Sequence, residues 1–299
     1  MPGEVGMPRR AAPLFPTCEE DRAVRFDRLA IRHAITGAGT VMAFALLWLP
    51  CGPAHAQTKL TARYALSLAD IAIGEGDWAV EITKDRYTAQ SSGRFLGIWR
   101  VMLGSDISAV THGTANQGHL VPTSYGANFA SDDDIEDVRV TFRDGVVSEL
   151  ETKPTTAAGP DRIPVIAAHL HGVLDPLTAG LVAAPKSGDV LAPAACQRTL
   201  PIFDGSQRFD MVLSFKRMDN VKTETGYRGP AVVCAMTYRP VAGYTPGAFR
   251  VGYLQKRRDM EMWFAPIAGT RLLAVVRISI PTMLGTAVLR ATQFTAAAF

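Results

Sequence analysis

Two histidines, His169 and His171, stand close enough in the sequence to share a metal ion. On a strand, side chains two residues apart point to the same face, whereas on a helix they diverge. The surrounding segment has helical spacing, and Asp175 is the one further ligand type nearby. We therefore predict a surface pair of histidines rather than a metal site, and we expect neither a metal nor a cofactor.

A run of carboxylates, Asp132 to Asp134 followed by Glu136 and Asp137, offers the hard oxygen ligands that calcium prefers. An EF-hand loop that begins at Asp132 needs glycine where Asp137 stands and glutamate where Arg143 stands. Because that spacing fails, and because clustered like charges favour water, we predict a solvated hairpin tip.

Glycines flank Glu75 in the segment from Ile73 to Asp77. A nucleotide-binding loop requires a third glycine and a strand-to-helix context, and both are missing here. We interpret the segment as a hairpin turn. The chain also lacks the Gly-x-Ser-x-Gly and Ser-x-x-Lys motifs of serine hydrolases and penicillin-binding proteins. A pair of carboxylates distant in sequence, as in glycoside hydrolases, remains open.

The first 56 residues have the pattern of a secretory signal peptide. Arginines precede an apolar run from Ala34 to Leu49, and Ala54 and Ala56 stand three residues and one residue before Gln57. The run is shorter than the roughly 20 residues of a membrane span and is followed by Pro50. We predict cleavage after Ala56, a periplasmic location, no remaining membrane span, and a single domain over residues 57–299.

Within that domain Cys196 and Cys234 are the remaining cysteines, since the others precede residue 57. Two lone cysteines in an oxidising compartment favour a disulfide. A redox-active or metal-binding pair is the alternative, but no Cys-x-x-Cys spacing supports it. We therefore predict a structural Cys196–Cys234 bridge.

Composition gives little evidence for charged partners. The chain has 31 Lys and Arg against 28 Asp and Glu, a net charge of +3. So small an excess gives no electrostatic argument for nucleic acid or for an acidic membrane. We expect no nucleic-acid partner.

Apolar residues alternate with polar ones along most of the chain, which indicates half-buried β-strands. The strands predicted from this period lie at Leu60–Leu68, Trp78–Ala89, Ser105–Val110, Leu120–Tyr125, Val138–Phe142, Val146–Leu150, Phe209–Phe215, Ala231–Tyr238, Met260–Ala265, Arg271–Ser279 and Ala287–Thr292. Arg94–Leu103 has helix-like spacing but contains Gly97, and is either a short helix or a strand edge. Repeated short strands and turns predict one large antiparallel sheet.

Two segments have helical character, Ile163–Leu174 and Leu177–Ala184. Asp175 is placed to cap the second helix, and Pro176 suits its first position. We predict a mainly-β fold with a single curved or rolled, open barrel-like antiparallel sheet and one or two packed helices.

Aromatic residues are frequent in these strands. A rolled antiparallel sheet can enclose a lipophilic cavity, but a domain of this size also needs such residues for its core. Both interpretations apply to the same set: Trp78, Phe95, Trp99, Phe129, Phe203, Phe209, Phe215, Trp263 and Phe264.

The order of several short segments resembles the bacterial envelope proteins grouped as domain of unknown function 3108. The segments are Asp175–Ala179, Phe203–Phe209, the cysteine-bearing Val232–Cys234, and Glu261–Ala265 followed by Arg271. The resemblance implies a secreted or periplasmic protein and transfers no catalytic residue.

The function that these observations favour is a non-catalytic periplasmic protein that binds or chaperones an apolar envelope component, such as a lipid. One alternative is an envelope-polymer hydrolase that uses a dispersed carboxylate pair. Another is a structural protein that interacts with other envelope proteins. A hollow sheet favours the carrier and a filled one the scaffold.

Overall fold

The structure, a computed structural model, describes residues 57–97, 99–100, 106–116, 118–130, 135–154 and 161–298. The predicted signal peptide of residues 1–56 and the acidic tip at Asp132–Asp134 lie outside the described residues. So do Ile98 and Val101 to Leu103 of the segment left open as helix or strand edge.

Strands dominate the described residues. They are β1 (Thr58–Leu68), β2 (Ile71–Ile82), β3 (Arg86–Phe95), β4 (Asp106–Asn116), β5 (His119–Ala130), β6 (Ile135–Arg143), β7 (Val146–Lys153), β8 (Leu181–Ala183), β9 (Arg198–Phe203), β10 (Arg208–Lys222), β11 (Thr225–Gly226), β12 (Arg228–Ala242), β13 (Met260–Pro266), β14 (Leu272–Thr282) and β15 (Gly285–Ala298).

These strands form one sheet in the order β7-β6-β5-β4-β3-β2-β1-β15-β14-β13-β12-β10-β9. Neighbours along this path are antiparallel, β8 pairs with the start of β14, and the two residues of β11 lie parallel to β15. The predicted mainly-β fold with a single large antiparallel sheet is thus confirmed. Most of its hairpins connect consecutive strands, because the alternating segments are separated by short turns.

Alternating burial is clearest in β1, whereas β12, β13 and β14 bury runs of consecutive residues on both faces. In β1 the side chains of Leu60, Ala62 and Tyr64 are buried, whereas the intervening Thr61 and Arg63 are exposed. Successive side chains of a strand point to opposite faces, so this alternation directs every second residue into the interior.

The two ends of the sheet do not pair with each other directly. Residues 171–174 lie between them: the N–H of Gly172 donates to the carbonyl of Gly145 beside β7 (2.7 Å) and the N–H of Leu174 donates to the carbonyl of Pro201 in β9 (2.7 Å). We call this connection the seam. It leaves the strand ladder open while the irregular segment bonds to Gly145 beside β7 and to Pro201 and Phe203 in β9.

The helix predicted at Ile163–Leu174 is therefore wrong, because these backbone groups bond to the sheet edges instead of to one another. Only a 3₁₀ turn, Ala167–Leu170, forms there, and Gly172 has a positive φ of 64° that ends any helical path. The predicted helix Leu177–Ala184 is also shorter than expected.

Two helices are present in the described residues, α1 (Pro176–Ala179) and α2 (Phe249–Lys256). The cap predicted at Asp175 is present: its carboxyl group accepts the N–H groups of Leu177 and Thr178. Helix α1 then stops at Gly180, because β8 begins at Leu181 and pairs with β14. Helix α2 was not predicted. Neither helix is long and apolar enough to cross a membrane.

Buried side chains form three clusters. The first contains Leu60, Trp78 and Val80, the second contains Leu213, Cys234 and Phe264, and the third lies at the seam around Tyr125, Val140 and Phe203. Leu177 of α1 packs against both the first and the third, and Ala179 belongs to the second. Helix α1 thus lies where the three clusters meet.

The predicted Cys196–Cys234 disulfide is present, with a Cα–Cα distance of 5.3 Å. Cys196 ends a 3₁₀ turn (Pro193–Cys196) that leads into β9, and Cys234 lies in β12. Both residues are fully buried. The bridge fastens the lead-in of the last strand of the sheet to a strand two positions further in.

Candidate functional site

A cavity of about 440 Å³ lies between two walls of the sheet. One wall is formed by β1, β2, β3 and Ile107 of β4, the other by β9, β10, β13 and β14, and Leu289 of β15 lies between them. Helix α1 forms the floor with Pro176, Leu177 and Ala179. The apolar side chains of the two walls are Tyr64, Leu66, Trp78, Phe95, Leu200, Ile202, Phe209, Met211, Met262, Val275, Ile278 and Leu289.

The cavity exists because β2 and β3 carry small residues at inward positions. Gly74 and Gly76 continue the alternation of Trp78 and Val80, and the facing strand has Ser91 and Gly93 on the same side. The turn predicted at Ile73–Asp77 is wrong, because these residues lie within β2. The chain actually turns at Ala69 and Asp70, both with positive φ.

Gly76 also permits a close approach of the two strands. A Cβ at this position would lie 2.6 Å from the carbonyl oxygen of Ser92, closer than real contacts allow. At Gly93 a Cβ would lie 3.5 Å from the carbonyl of Glu75, an ordinary contact. Gly76 is therefore required by the backbone, whereas Gly93 tolerates a side chain that would point into the cavity.

Trp78 and Tyr64 mark the lower limit of the cavity. The hydroxyl of Tyr64 donates to the carbonyl of Val275 across the interior (2.6 Å), which ties the two walls together. The ring of Trp78 packs on α1, where a Cβ on Gly180 would lie 3.1 Å from its Cη2. Burial without an ionic partner raises the pKa of Tyr64, so its hydroxyl stays protonated and keeps donating.

The floor is anchored by a buried carboxyl group. Oδ1 of Asp175 accepts the N–H groups of Leu177 (2.9 Å) and Thr178 (3.0 Å), and Oδ2 contacts the hydroxyls of Thr178 and of Thr111 in β4 (3.0 Å). The hydroxyl of Tyr87 in turn lies 2.6 Å from that of Thr178. These bonds fasten α1 to β3 and β4.

The number of protons available to this hydrogen-bond network indicates whether the carboxyl group of Asp175 is protonated. The single hydroxyl proton of Thr111 can be donated to the carbonyl of Ser124 (2.9 Å), and a protonated Oδ2 of Asp175 can then donate to Thr111. Burial raises the pKa of Asp175, and the hydrogen bonds from Thr178 and Thr111 oppose that rise. A neutral carboxyl group therefore satisfies the network most completely.

Charged pairs surround the cavity on the outward face. Arg94 donates to Glu75 through Nε (2.8 Å), and Arg63 donates to Asp77 at 3.2 Å. Glu75, Asp77 and Arg94 thus border the cavity as exposed ion pairs, and the inward-pointing side chains between them carry no charge. The arrangement suits binding of an uncharged apolar chain, with polar groups available at the edge of the cavity.

The residues considered at the sequence level divide between the cavity and the core. Trp78, Phe95 and Phe209 line the cavity. Phe203, Trp263 and Phe264 are buried in the core, and Phe129 and Phe215 are partly exposed. The aromatic set thus serves both of the roles considered for it.

The histidines are apart from the cavity. His169 accepts the N–H of Ile166 through Nδ1 (3.3 Å), and His171 bridges to Val146 at the seam. Throughout the described part of the chain, no group of three or more His, Cys, Asp or Glu side chains is arranged to hold a metal ion.

The segment Phe203–Gly205 begins at the last residue of β9, at one end of the sheet, and contacts β6 near the other end. Asp204 accepts the N–H groups of Ser206 (2.8 Å) and Gln207 (2.6 Å), which forms a tight turn before β10. Gly205 has a φ of 96°, and a Cβ there would lie 2.2 Å from Cγ1 of Val138 in β6. This segment and the Asp175 cap therefore both connect parts of the structure that are distant in the sequence.

Sequence reasoning missed much of the lining, including Leu200, Ile202, Met211 and Met262, because their strands lie far from β2 in the sequence. A signal was available at Gly74 and Gly76, where small residues continue an inward-facing alternation. The interruption of large side chains on one face of a strand indicates a gap in the core.

Comparisons with known proteins agree with a family without an assigned activity. No curated protein matches the chain significantly. A solved structure described as a beta-barrel-like protein of domain of unknown function DUF1849 from Brucella abortus is similar with a TM-score of 0.44 and 8% sequence identity, over 82% of this chain and 98% of that chain. A family model described as "Protein of unknown function (DUF3108)" matches residues 63–292, which confirms the resemblance noted in the sequence: the chain belongs to this family.

Proposed function

We propose that this protein is a non-catalytic carrier that binds one apolar small molecule, of the single-chain lipid class, in the cavity between its two walls. The observation that carries the proposal is that the space between the two walls is hollow. Its volume of about 440 Å³ lies inside the usual range of ligand pockets. An interior built only as a scaffold would be filled, because packed cores rarely leave space larger than a water molecule.

The chemistry of the lining supports an apolar ligand. Leucine, isoleucine, methionine and aromatic side chains form both walls, and methionines such as Met211 and Met262 adapt their shape to irregular ligands. The inward positions that create the space are glycine and serine, so no bulky side chain must move before a ligand enters.

We further propose that the protein acts in the periplasm on a component of the cell envelope. The signal-peptide pattern of residues 1–56 supports export, and the buried Cys196–Cys234 bridge suits an oxidising compartment.

Native mass spectrometry after purification without detergent tests the proposal. We expect a fraction of the protein to carry one apolar adduct, which organic extraction releases for identification. A second measurement uses single-chain fatty acids that carry bromine, which quench tryptophan fluorescence on contact. We expect saturable quenching that is largely lost in Trp78→Phe and retained in Trp263→Phe, since Trp263 lies outside the cavity lining. Adduct-free protein together with no saturable quenching would reject the carrier proposal.

A further inference from the structure

Four large apolar side chains are exposed at one end of the sheet. They are Ile71 (62% exposed), Phe249 (68%), Met283 (69%) and Leu284 (71%). We call them the apolar rim. Ile71 begins β2 after the β1–β2 turn, Met283 and Leu284 form the β14–β15 turn, and Phe249 begins α2 between β12 and β13. The register places these three connections at the same end of the sheet, because Leu68 pairs with both Ile71 and Ala287, and Glu261 at the start of β13 pairs with Ser279 near the end of β14.

The members of the rim follow one another along this edge. The N–H of Ala69 donates to the carbonyl of Thr286 (3.0 Å), which joins the β1–β2 turn to the β14–β15 turn. Glu261 pairs with Ser279, so the antiparallel register continues from the end of β14 toward the residues that connect α2 to β13. Ile71, Met283 and Leu284 therefore lie on two adjacent hairpin turns, and Phe249 lies in the next connection at the same end of the sheet.

The rim adjoins the cavity. Leu66 of β1 pairs with Leu289 of β15, which pairs with Ile278 of β14, and all three line the cavity just inside the turns of the rim. An apolar path thus leads from the exposed tips to the hollow interior.

Basic residues accompany the rim. Helix α2 and its continuation contain Arg250, Lys256, Arg257 and Arg258, and within the described residues the acidic partner in this stretch is Asp259, which pairs with Arg257. Arg250, Lys256 and Arg258 are exposed. The small net charge of the whole chain conceals this local excess of positive charge on α2 and its continuation, while the β1–β2 turn of the rim carries one exposed carboxylate, Asp70.

We propose that the apolar rim and the basic α2 dock onto an anionic lipid bilayer. Apolar tips that enter the interfacial region, flanked by arginine and lysine at headgroup depth, are the features of interfacial membrane binding. Isolated tips on separate turns suit a deformable lipid surface better than the flat complementary face that a protein partner requires. Docking would bring the cavity to the bilayer, and this role in ligand exchange rests on the proposed function.

Vesicle flotation tests the docking directly. The probes are vesicles of phosphatidylcholine alone and of phosphatidylcholine with phosphatidylglycerol. We expect binding to the anionic vesicles that weakens as salt increases, and at least about tenfold weaker binding for Met283→Glu/Leu284→Glu. Val121→Glu/Thr123→Glu is the matched control, because it changes net charge equally at exposed sites of the opposite end and should bind within about twofold of the unchanged protein.

A charge variant separates the two contributions. Arg250→Glu/Lys256→Glu should lose the preference for anionic vesicles. Equal binding of the rim variant and its control, or no binding to anionic vesicles, would overturn the proposal. A rim-dependent dimer in light scattering without vesicle binding would also overturn it, and would assign the rim to a second copy of the chain.

The cavity variant Ser91→Leu/Gly93→Leu keeps the two proposals distinguishable. Its rim is unchanged, so we expect vesicle binding equal to that of the unchanged protein even though it binds an apolar ligand at least about tenfold more weakly. Vesicle binding in a protein that never carries a ligand would therefore leave the docking intact and reject only the carrier.

Discussion

Strands β1, β2 and β3 enclose a filled interior in one half of the sheet and a hollow interior in the other. In the lower half Trp78, Val80 and Tyr87 pack against Leu60 in the first cluster. In the upper half, which is nearer the β1–β2 turn, the inward positions of β2 and β3 hold Gly74, Gly76, Ser91 and Gly93. Backbone pairing is continuous through both halves, so side-chain size alone determines where space remains. Stability and binding are thus assigned to different ends of the same strands.

A matched pair of leucines in β1 gives the sharpest test of this difference. Leu60 is fully buried in the filled half, whereas Leu66 lines the cavity and is partly exposed. We expect Leu60→Ala to lower the free energy of unfolding by roughly 3 to 4 kcal/mol, because it leaves a void in a packed core. Leu66→Ala should cost about 1 kcal/mol, since little contact is lost. Urea denaturation measures both, and equal losses would mean that the upper half is packed as tightly as the lower.

The wall of the hollow half is held by a covalent link in addition to packing. The disulfide closes a loop of 38 residues and precedes Leu200 and Ile202 of the cavity wall. We expect Cys196→Ala/Cys234→Ala to lower the free energy of unfolding by roughly 3 kcal/mol. Reductant should lower the stability of the unchanged protein similarly and have no effect on the variant. If the variant is as stable as the oxidised protein, the bridge does not support the wall.

Asp175 determines whether the floor between the two halves stays in place. Asp175→Ala removes the acceptor of two backbone N–H groups and the partner of two threonine hydroxyls. We expect a loss of roughly 2 to 4 kcal/mol in the free energy of unfolding. Asp175→Asn keeps an acceptor for the helix N-terminus and should retain most of that stability. Similar losses in both variants would contradict the capping role.

The pH dependence of the same site has a definite sign. Burial raises the pKa of Asp175 in the folded state above its unfolded value of about 4. The stabilisation from the bound proton is complete below that value and is lost as pH rises through the raised pKa. The free energy of unfolding of the unchanged protein, minus that of Asp175→Asn, should therefore fall as pH increases from 4. A difference that grows with pH would show that the folded protein prefers the carboxylate.

Local sequence patterns were sufficient for most of the strands, the disulfide and the Asp175 cap. The strand predicted at Trp78–Ala89 is two strands, because the chain turns between Ile82 and Arg86, and β8 and β9 were not predicted. Alternation in β1 reflects one buried face and needs no knowledge of the partner strands, whereas β12 buries the consecutive residues Ala231 to Cys234 between two clusters. The seam was not predictable in this way, because residues 171–174 have helical spacing but form hydrogen bonds to strands that are distant in sequence. Helix α2 buries none of its residues fully and therefore lacked a clear apolar face.

The sequence pattern contained a signal for only one of the two walls that form the cavity. Gly74 and Gly76 were interpreted as a turn, since glycine is common there, although they continue the inward face of β2. Their meaning depends on the opposing wall, which comes from residues after Arg198. Small inward residues on one wall make a cavity only when the other wall does not fill the space.

Ligand titration of two double variants in β3 tests the central claim most directly. Ser91→Leu/Gly93→Leu places side chains on the inward face, and Gln90→Leu/Ser92→Leu places the same side chains on the outward face. Both should leave the free energy of unfolding within about 1 kcal/mol of the unchanged protein. We predict that a fluorescent single-chain fatty acid binds the unchanged protein and the outward variant with equal Kd and one-to-one stoichiometry, and that the inward variant binds at least about tenfold more weakly. Equal binding by both variants would contradict the account, because the ligand would then not occupy the hollow half of the sheet.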